Sequence, residues 1–382
     1  MEKLAIITTH PIQYQVPLFK NLSKKNIDTH VFFASKHGLK PVNIDPEFLI
    51  KFKWDINSNI LLGYKSYFPK IQKSKINEFL LSFKGIENFI KKEKFDAILI
   101  LGWSNMHYLK AFYFALKYKI KIILRAENNL HSKNSIIKRF IKKILLKIIF
   151  KKISYFLSIG KLNREFYLYH GIKEKKIYNS PYFVDNNFFN IKDRKKKLKK
   201  KLNLNYKNII LFVGKFVDRK RPFDFLELAR INKENKNLLF LMIGDGLLKK
   251  KCTKFAKQNK LDNLFIKGFV NQNELRKYYK ISDVLVQTSS YETWGLTINE
   301  AMASGIPVIC TKDCGAYTDL IKENKSGLGY NAGNIKQLNF KINSLLINKF
   351  RFKKSNIKKI ISEYTINKTI NSIEKILYAK KK

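Results

Sequence analysis

The sequence predicts an α/β protein with two doubly wound, Rossmann-like domains that face each other across a cleft. The chain has 382 residues, and a single core rarely grows beyond ~250–300 residues. Short apolar runs alternate with longer stretches of helical period, which is typical of parallel βαβ units. A break with a Gly, a Pro and two Asn clusters, at 171–190, separates two such series. We therefore expect ligands to bind at the carboxyl ends of two sheets.

The N-terminal domain is predicted over residues 1–185. Its strands are predicted at 4–9, 30–34, 96–102, 120–125 and 154–159. Its helices are predicted at 14–25, 76–93, 105–118, 135–151 and 161–170. The segment 36–75 combines scattered aromatic residues with three prolines, so we predict irregular structure there.

The C-terminal domain is predicted over residues 186–353. A basic run at 192–201 is interpreted as the solvated surface of a helix, and the βαβ pattern restarts after it. The strands are predicted at 208–214, 238–244, 263–267, 283–288 and 307–311. The last segment, 354–382, is predicted to hold one lysine-rich helix, from about 354 to 380, that packs back towards the N-terminal domain.

The net charge of +47 raises the question of an anionic partner. Lysine far outnumbers arginine, and Lys, Ile, Asn and Phe are all abundant along the whole chain, which indicates a drift in composition rather than a dedicated surface. Base-reading sites depend on Arg and on stacked aromatic rings more than on dispersed Lys. We therefore predict no specific nucleic-acid partner, while contact with an anionic membrane stays open.

Neither a disulfide framework nor a metal or cofactor site is expected. The three cysteines, Cys252, Cys310 and Cys314, form no Cys-x2-Cys pair, and the six histidines include no His-Glu-x-x-His motif. The N-terminus has no signal-peptide pattern, and no stretch approaches the ~18 apolar residues of a membrane span. These features predict a cytoplasmic protein whose membrane contact, if any, is peripheral to the inner face of the membrane.

The segment 136–153 has helical period and many lysines. One apolar face is predicted to contain Ile137, Ile141, Ile144, Leu145 and Ile148. Basic residues occupy much of the remaining circumference, with Leu146 and Phe150 among them. Two interpretations stay open: a helix packed on the core with a solvated lysine face, or a helix that docks on an anionic membrane.

The strongest chemical signal is the stretch DVLVQTSSYETWGLTINEAMASGIPVIC, at 283–311. A buried strand runs into a loop, and Gly295 opens a helix. The N-terminus of a helix presents unpaired N–H groups, which suit phosphate oxygens. Glu292 precedes the helix and Glu300 lies within it, so the two carboxylates can address different parts of one ligand. The alternative is a capped strand–helix junction with two surface glutamates.

A second signal is LFVGKFVDRKRP, at 211–222, where a strand ends at Gly214. Lys215, Arg219, Lys220 and Arg221 then follow at the expected carboxyl edge of the sheet. Two cations on one short loop can neutralise a leaving diphosphate. In a chain so rich in lysine, this cluster alone is a weak indication.

The pattern E-x7-E followed by A-M-x-x-G-x-P-V-I resembles the donor signature of the family-4, or group 1, glycosyltransferases, which are retaining enzymes of the GT-B fold. The resemblance implies that Glu292 faces the donor sugar near its anomeric centre. It implies that the amides of Leu296 and Thr297, after Gly295, approach the diphosphate, and that Glu300 accepts hydrogen bonds from the ribose hydroxyls.

The resemblance continues through the rest of the C-terminal half. Lys215 and Lys220 match the basic positions of the family pattern G-R/K-x4-K, which hold the donor phosphates. The segment LMIGDG resembles a strand ending in G-x-G whose glycines line the nucleotide, here Gly244 and Gly246. The segment IKGFV, which ends at Val270, resembles the one that cradles the base through its backbone.

Five residues of the N-terminal domain are candidates for the acceptor or phosphate side. His10 and Gln13 lie in THPIQYQVP, which resembles a subgroup of the family that starts T-H-P-I-Q-Y, and an ordinary loop is the alternative. Arg125 and Glu127 end another strand, in a region where relatives often place a histidine. Trp103 also ends a strand, where it would either stack on a sugar or pack in the core.

The resemblance therefore implies a UDP- or GDP-sugar donor, a glycan or lipid-linked acceptor, and a role in cell-surface polysaccharide or glycolipid synthesis. It implies transfer with retention. No Asp-x-Asp pair is present, so we expect lysines rather than a metal ion to hold the diphosphate. The alternatives are another GT-B enzyme, such as a sugar-nucleotide epimerase or a phosphorylase, and a basic protein that only binds nucleic acid or membrane.

Overall fold

The computed structural model describes residues 1–37, 39, 63–69, 82–83, 85–130, 136–204, 206–347 and 352–379, with backbone only for 136–142. The described residues form two compact units. The first contains residues up to 182 together with the segment from 366 onward, and the second contains residues 183–365.

The first unit is built on a parallel sheet. Its strands are β1 (Glu2–Thr8), β2 (Ile27–Phe33), β3 (Lys65–Tyr67), β4 (Ala97–Ile100), β5 (Lys121–Leu124), β6 (Tyr155–Ser158) and β7 (Ile177–Asn179). Its helices are α1 (Val16–Leu22), α2 (Ile86–Glu93), α3 (Met106–Lys117), α4 (Ile136–Lys151) and α5 (Lys161–Tyr169). The sheet order is β3-β2-β1-β4-β5-β6-β7. Residues 4–7 of the central strand β1 are fully buried, because both faces of the sheet are covered.

The second unit repeats this architecture. Its strands are β8 (Asn208–Val213), β9 (Leu238–Ile243), β10 (Leu264–Gly268), β11 (Val284–Gln287), β12 (Val308–Thr311) and β13 (Gly327–Tyr330). Its helices are α6 (Asn186–Phe189), α7 (Lys195–Lys201), α8 (Pro222–Ile231), α9 (Lys249–Gln258), α10 (Gln272–Ile281), α11 (Leu296–Ala303), α12 (Tyr317–Leu320), α13 (Ile335–Leu346) and α14 (Lys354–Ile361). The order β10-β9-β8-β11-β12-β13 is parallel throughout, which confirms the predicted α/β class with two Rossmann-like sheets.

Three short strands were not predicted. β3 lies inside the segment predicted as irregular, and β7 lies inside the predicted break; with three residues each, they are too short to show a period. β13 has the sequence GLGY, and its glycines resemble a loop. In the structure a Cβ on Gly327 would lie 2.1 Å from Val308 O, so glycine is required here because the strands approach closely.

Two predicted helices were wrong in their limits. The helix predicted from 76 begins at Ile86, after Gly85 in the left-handed conformation (φ 83°), and 76–81 lie outside the described residues. The single C-terminal helix is two helices, α14 and α15 (Ile366–Leu377), separated at 362–365. α15 belongs to the first unit, where it packs on α1 and β7.

The carboxyl ends of β8 and β9 meet in the second unit. Gly214 N–H donates to Ile243 O (3.0 Å), and Gly244 N–H donates to Gly268 O (2.9 Å). A Cβ on Gly244 would lie 1.8 Å from Gly214 O, and the φ of Gly244 is 148°. Only glycine fits there, and the close approach brings the loops after both strands to one edge of the sheet.

Candidate functional site

The first part of the candidate site is the basic loop after β8. The chain turns through a short 3-10 helix, Asp218–Lys220, and Arg221 follows with a left-handed φ of 46°. Arg221 makes two hydrogen bonds to Asp224, of 2.7 and 2.9 Å, which fix this turn. Thr288 Oγ1 donates to the carbonyl of Lys220 at 2.6 Å, so the loop is tied to the end of β11.

Lys220 and Glu292 meet in this loop. Lys220 Nζ donates to Glu292 Oε2, and Arg219 lies 3.7 Å from the same oxygen. The side chains of Lys220 and Glu292 are only 12% and 14% exposed, so the pair is largely shielded from water. The two segments that the resemblance assigns to the donor, 215–220 and 292–300, therefore lie together.

The second part of the site is the N-terminus of α11. Gly295 caps this helix in the left-handed conformation, with φ 101°. A Cβ there would lie 2.8 Å from Cys314 Sγ and 3.4 Å from Glu292 Cγ. The missing side chain therefore lets Glu292 and the first turn of the helix, which begins at Leu296, come together. The first N–H groups of a helix lack partners within the helix, which makes this turn suited to phosphate oxygens.

Thr297 carries an unusual hydroxyl in this first turn. Its Oγ1 is buried and has no hydrogen-bond partner among the described residues. A buried hydroxyl without a partner is costly, so such atoms commonly mark a place that a ligand or water completes. The hydroxyl and the helix N-terminus could together hold the oxygens of a bound anion.

Glu300 lies one turn further along α11 and is buried. Tyr279 OH donates to its Oε2 (2.7 Å), and Gln272 Nε2 donates to its Oε1 (3.4 Å). Burial raises the pKa of the Glu300 carboxyl to about 7, although both hydrogen bonds favour the ionised form. Tyr279 and Gln272 were missed by the sequence reasoning, because the residues of α10 carry no motif and meet Glu300 only in the fold.

The loops after β9 and β10 hold the other predicted nucleotide-side residues. Gly246 has a φ of 147°, and its N–H donates to Asp245 Oδ1 at 2.9 Å. Asp245 also forms an ion pair with Lys249, at 2.5 Å. Val270 lies half-buried just after β10. Lys215 follows Gly214 at the carboxyl edge, and its carbonyl accepts the N–H of Val217 (3.1 Å).

Arg125 is the most buried charged residue among the candidates of the first unit, with 5% of its surface exposed. Its Nε donates to Ser180 Oγ (2.9 Å), its second amino group donates to Ser180 O (3.3 Å), and its guanidinium lies 4.7 Å from the ring centroid of Tyr182. No ion pair to Arg125 occurs within the described part of the chain. Burial lowers its pKa, as expected for a cation out of water.

The remaining candidates of the first unit are spread along the same edge. The loop 9–17 reaches Arg125 through Tyr14, whose hydroxyl lies 3.4 Å from that of Tyr182. His10 packs edge-on against His37, with ring centroids 5.2 Å apart, and Gln13 is half-buried. Glu127 is exposed.

Trp103 packs beside Phe150, with ring centroids 6.0 Å apart, and belongs to the periphery of the core. This contact favours the packing interpretation for Trp103.

Of the two interpretations of α4, the structure contradicts the one in which the predicted apolar face packs on the core. Leu146 and Phe150 are 1% exposed and pack into the core, whereas Ile144, Leu145 and Ile148 are 48%, 55% and 58% exposed. The side chains of Ile137 and Ile141 lie outside the described residues. A helix with apolar residues around most of its circumference cannot bury them all on one sheet, and the aromatic ring of Phe150 occupies the core position. No described helix is long and apolar enough to cross a membrane.

A model of one protein family matches part of this chain. Residues 193–366 match the family described as glycosyl transferases, group 1. These residues include the basic loop, the Lys220–Glu292 pair and all of α11.

Two curated proteins are similar over larger parts of the chain. The α-monoglucosyldiacylglycerol synthase of Acholeplasma laidlawii is 27% identical over 285 residues, covering 71% of this chain and 67% of that protein. The N,N'-diacetylbacillosaminyl-diphospho-undecaprenol α-1,3-N-acetylgalactosaminyltransferase of Campylobacter jejuni is 24% identical over 303 residues, covering 76% of this chain and 73% of that protein. Other relatives are matched over 28–32% of their own length.

The solved structures show the fold. HepE of Anabaena, crystallised with UDP and glucose, is 14% identical and has a TM-score of 0.74 over 99% of this chain and 100% of that one. This likeness establishes the GT-B arrangement of two Rossmann-like folds. Residues 193–366, which contain the Lys220–Glu292 pair and α11, are thus similar to the group 1 glycosyl transferases.

Proposed function

We propose that this protein transfers a sugar from a nucleoside-diphosphate donor to a hydroxyl group of a glycan or lipid-linked acceptor, in the synthesis of a cell-surface polysaccharide or glycolipid. The observation that carries the proposal is the meeting of Lys220, Glu292 and the N-terminus of α11 at one sheet edge. UDP and glucose in the crystal structure of HepE support a nucleotide-sugar donor, and we propose a UDP- or GDP-sugar.

The site is suited to stabilise a departing diphosphate. When the bond between the anomeric carbon and the phosphate oxygen breaks, negative charge grows on that oxygen and positive charge grows on the carbon. Lys220, Lys215 and the first N–H groups of α11 would stabilise the negative charge, and Glu292 would stabilise the positive charge. The buried hydroxyl of Thr297 would supply one further hydrogen bond to the phosphate.

We infer that the new bond forms on the face from which the diphosphate leaves, so that the anomeric configuration is retained. The acceptor oxygen bonds to the anomeric carbon, and its proton passes to the leaving phosphate oxygen, which balances the charges. The lysines would make a divalent metal unnecessary. We expect transfer to continue unchanged in excess EDTA. We also expect NMR to show that the product has the anomeric configuration of the donor.

The nucleoside would lie over the ends of β9 and β10. Glu300 would accept hydrogen bonds from the ribose hydroxyls, and the backbone between Gly268 and Val270 would contact the base. Gly246, with a φ of 147° and no side chain, leaves room for this approach. The missing side chain of Gly244 instead lets its loop lie against Gly214.

The acceptor would be bound by the first unit. Arg125 makes no ion pair within the described part of the chain, although the charge of Glu127 acts on it, and its buried guanidinium favours an acceptor that carries a phosphate or another anion. His10, Gln13 and Glu127 would contribute polar groups at the same edge.

The decisive experiment measures donor binding and transfer in one protein. A thermal-shift panel of UDP-, GDP-, ADP- and CDP-sugars identifies the donor, and release of free nucleoside diphosphate in the presence of glycan and lipid-linked acceptors measures transfer. Lys220→Ala is expected to abolish transfer while the fold survives. Near-normal turnover of Lys220→Ala with the correct donor would contradict the proposal, and epimerisation without release of nucleoside diphosphate would point to the epimerase alternative.

We also propose that the protein is cytoplasmic and docks on the anionic inner face of the membrane through α4 and α5. Ile144, Leu145 and Ile148 are exposed on α4, and Leu168 and Tyr169 are 42% and 46% exposed on α5. Lys143 lies 4.4 Å from the ring of Tyr169, which joins the two helices into one surface. The sequence of α4 contains no acidic residue. Apolar side chains surrounded by lysines fit a headgroup region, at about 1 kcal/mol per basic residue.

Sedimentation with lipid vesicles tests the docking surface. Leu145→Glu combined with Ile148→Glu is expected to abolish binding to vesicles that contain phosphatidylglycerol. A matched control places the same two charges on exposed apolar positions of the second unit, Leu247→Glu and Phe340→Glu, and is expected to keep binding. Equal loss in both variants would show that only net charge matters and would overturn the docking surface.

A further inference from the structure

A large cavity lies at the amino ends of strands in the first sheet, whereas Arg125 and Glu127 follow the carboxyl end of β5. Its lining comes from the segments that enter β4, β5, β6 and β7, at the amino ends of these strands, and its volume is about 1130 Å³. Small-molecule pockets usually measure roughly 300–1,000 Å³. The cavity can therefore accommodate more than a single small ring, and its function is independent of the proposed transfer reaction.

Six lysines line the cavity, together with the single carboxylate of Asp96. They are Lys91, Lys94, Lys119, Lys121, Lys175 and Lys176. The whole chain has 76 basic and 29 acidic residues, so the lining is more strongly basic than the chain as a whole. Asp96 already accepts the N–H of Lys3 (2.9 Å), which uses part of its capacity to balance the lysines.

The helix ends nearby do not account for this charge. The C-termini of α2 and α3 lie at the cavity, and each carries about half a negative charge. Two of the six lysines are enough to balance these ends and Asp96. Lys121 Nζ donates to the carbonyl of Ile376 (3.2 Å) and Lys176 Nζ to that of Ile153 (3.4 Å), and the other four lysines are exposed. Their charge has no acidic partner within the described lining, which suits an anionic ligand.

Two of these lysines adopt a backbone conformation that lysine disfavours. Lys94 has a φ of 49° and Lys119 a φ of 53°, in the left-handed region where Gly or Asn is usual after a helix. Among the described residues only one other lysine, Lys260, has a positive φ. Glycine at either position would relieve the backbone but would remove a cation from the cavity.

Tyrosine rings supply the rest of the lining. Tyr118, Tyr155 and Tyr178 are half-buried, and the rings of Tyr155 and Tyr178 meet edge to face at 5.7 Å. Exposed ring faces beside cations suit a ligand with both apolar C–H faces and anionic groups. A saccharide that carries phosphate, sulfate or carboxylate groups has both.

We propose that this cavity is a binding site for an anionic saccharide chain, separate from the site of transfer. The lysines hold the anionic groups, and the tyrosine rings pack on the sugar faces. The cavity is lined only by residues of the first unit, whereas the residues assigned to the donor lie in the second, so the two sites share no residue.

Binding of short dextran sulfate to the full-length protein, measured by calorimetry, tests the site. The cavity variant combines Lys94→Gln, Lys119→Gln and Lys175→Gln, all exposed lysines. The control combines Lys24→Gln, Lys25→Gln and Lys110→Gln, which are exposed in the same unit but outside the cavity. We expect the cavity variant to bind at least about tenfold more weakly, since one charge-assisted hydrogen bond is worth that much, and the control to bind nearly as the parent does. An equal loss in both variants would overturn the proposal.

A second comparison tests the saccharide part. Tyr155→Leu, or Tyr178→Leu if the first variant does not fold, is expected to weaken binding of dextran sulfate and to leave binding of inorganic tripolyphosphate unchanged. If neither ligand is affected, the cavity binds anions alone and the assignment to a saccharide is wrong. Melting temperatures near that of the parent identify the variants that retain the fold.

Discussion

At the scale of single residues, the Lys220–Glu292 contact carries the most information. Both side chains are largely shielded, and the carboxylate also attracts Arg219. In the proposed reaction Lys220 binds the donor phosphates, so a carboxylate already holding its ammonium group competes with that phosphate. Glu292 would therefore hold the Lys220 ammonium group in place when no donor is bound. The same ion pair would lower the affinity for the donor.

Glu292→Gln is expected to bind the free nucleoside diphosphate several-fold more tightly and to lose transfer. The amide is neutral, so Lys220 and Arg219 become more available to phosphate, while the stabilisation of the anomeric carbon is lost. Calorimetry gives the affinity, and product formation gives the activity. Glu227→Gln, which breaks only the exposed pair with Arg230, is the control and should change neither. Weaker binding by Glu292→Gln would show that no such competition exists.

Glu300 gives a prediction for pH. Its pKa is raised to about 7, above the usual value of 4.5. The folded state therefore holds this proton more tightly than the unfolded state does. Its contribution to stability is fully present below about pH 4.5 and is lost as the pH rises through 7.

Ribose hydroxyls donate hydrogen bonds best to an ionised carboxylate, so we expect affinity for the nucleoside diphosphate to rise between about pH 6 and 8. The phosphate of the ligand also titrates in part of this range. Its titration affects the parent protein and the Glu300→Gln variant equally, so the variant serves as the reference. The difference between the two affinity profiles is expected to have a midpoint near the raised pKa. Parallel profiles would exclude Glu300 from the binding of the ribose.

At the scale of elements, the start of α11 depends on a glycine. Gly295 needs both a left-handed backbone and the absence of a Cβ beside Cys314. Gly85 caps α2 with a similar φ of 83°, but nothing lies within 4 Å of its missing Cβ. Comparing substitutions at Gly85 and Gly295 therefore separates the cost of a left-handed backbone from the cost of a close contact with Cys314.

Gly85→Ala is expected to lower the free energy of unfolding by about 1 kcal/mol, from the left-handed backbone alone. Gly295→Ala should lower it by roughly 2–4 kcal/mol, because overpacking against Cys314 adds to the strain. Denaturant titrations of the two variants measure both costs. Equal losses would mean that the Cys314 side chain moves aside without cost.

The orientation of α4 can be tested in the same way. Phe150→Ala is expected to cost about 3–5 kcal/mol, since the ring is buried among the helices and strands of the core. Ile148→Ala, at a position 58% exposed, is expected to change stability by less than about 0.5 kcal/mol. The opposite order of the two losses would contradict this orientation of α4.

At the scale of the whole molecule, the chain consists of two compact units, and the residues assigned to the donor all lie in the second. A ligand that binds only the folded second unit stabilises that unit by about 2.7 kcal/mol at a concentration 100 times its Kd. The nucleotide makes no direct contact with the core of the first unit in this proposal, so it does not stabilise that core directly.

Hydrogen exchange at saturating UDP or GDP is therefore expected to slow in the loops after β8 and at the start of α11. Exchange in the central strands of the first unit, such as β1, should stay unchanged. Protection confined to the first unit would contradict the assignment of the donor to the second. The Lys220→Ala variant provides the control, because its protection by the nucleotide should be much reduced.

The sequence by itself determined the α/β class, most strands and the two motif segments. Buried parallel strands are continuous apolar runs, and a phosphate site needs its glycine and charged residues close together along the chain. The motifs assigned Lys220 and Glu292 to one donor, but their direct contact was seen only in the structure. The sequence reasoning missed three strands, β3, β7 and β13, because three or four residues carry too little periodic signal and β13 also contains two glycines. It also placed the ends of α2 and α14 wrongly.

Only the tertiary structure decided which face of α4 is buried, which partners surround Glu300, and which residues support Arg125. Tyr279 and Gln272 reach Glu300 from another helix, and Ser180 and Tyr182 reach Arg125 from the far end of the sheet. Periodicity gives the phase of a helix only when one face is apolar, and α4 is apolar on both. Packing against Phe156, Phe166 and Tyr167 then selects Phe150 for the core, and this selection depends on residues that the helix meets only after the chain has folded.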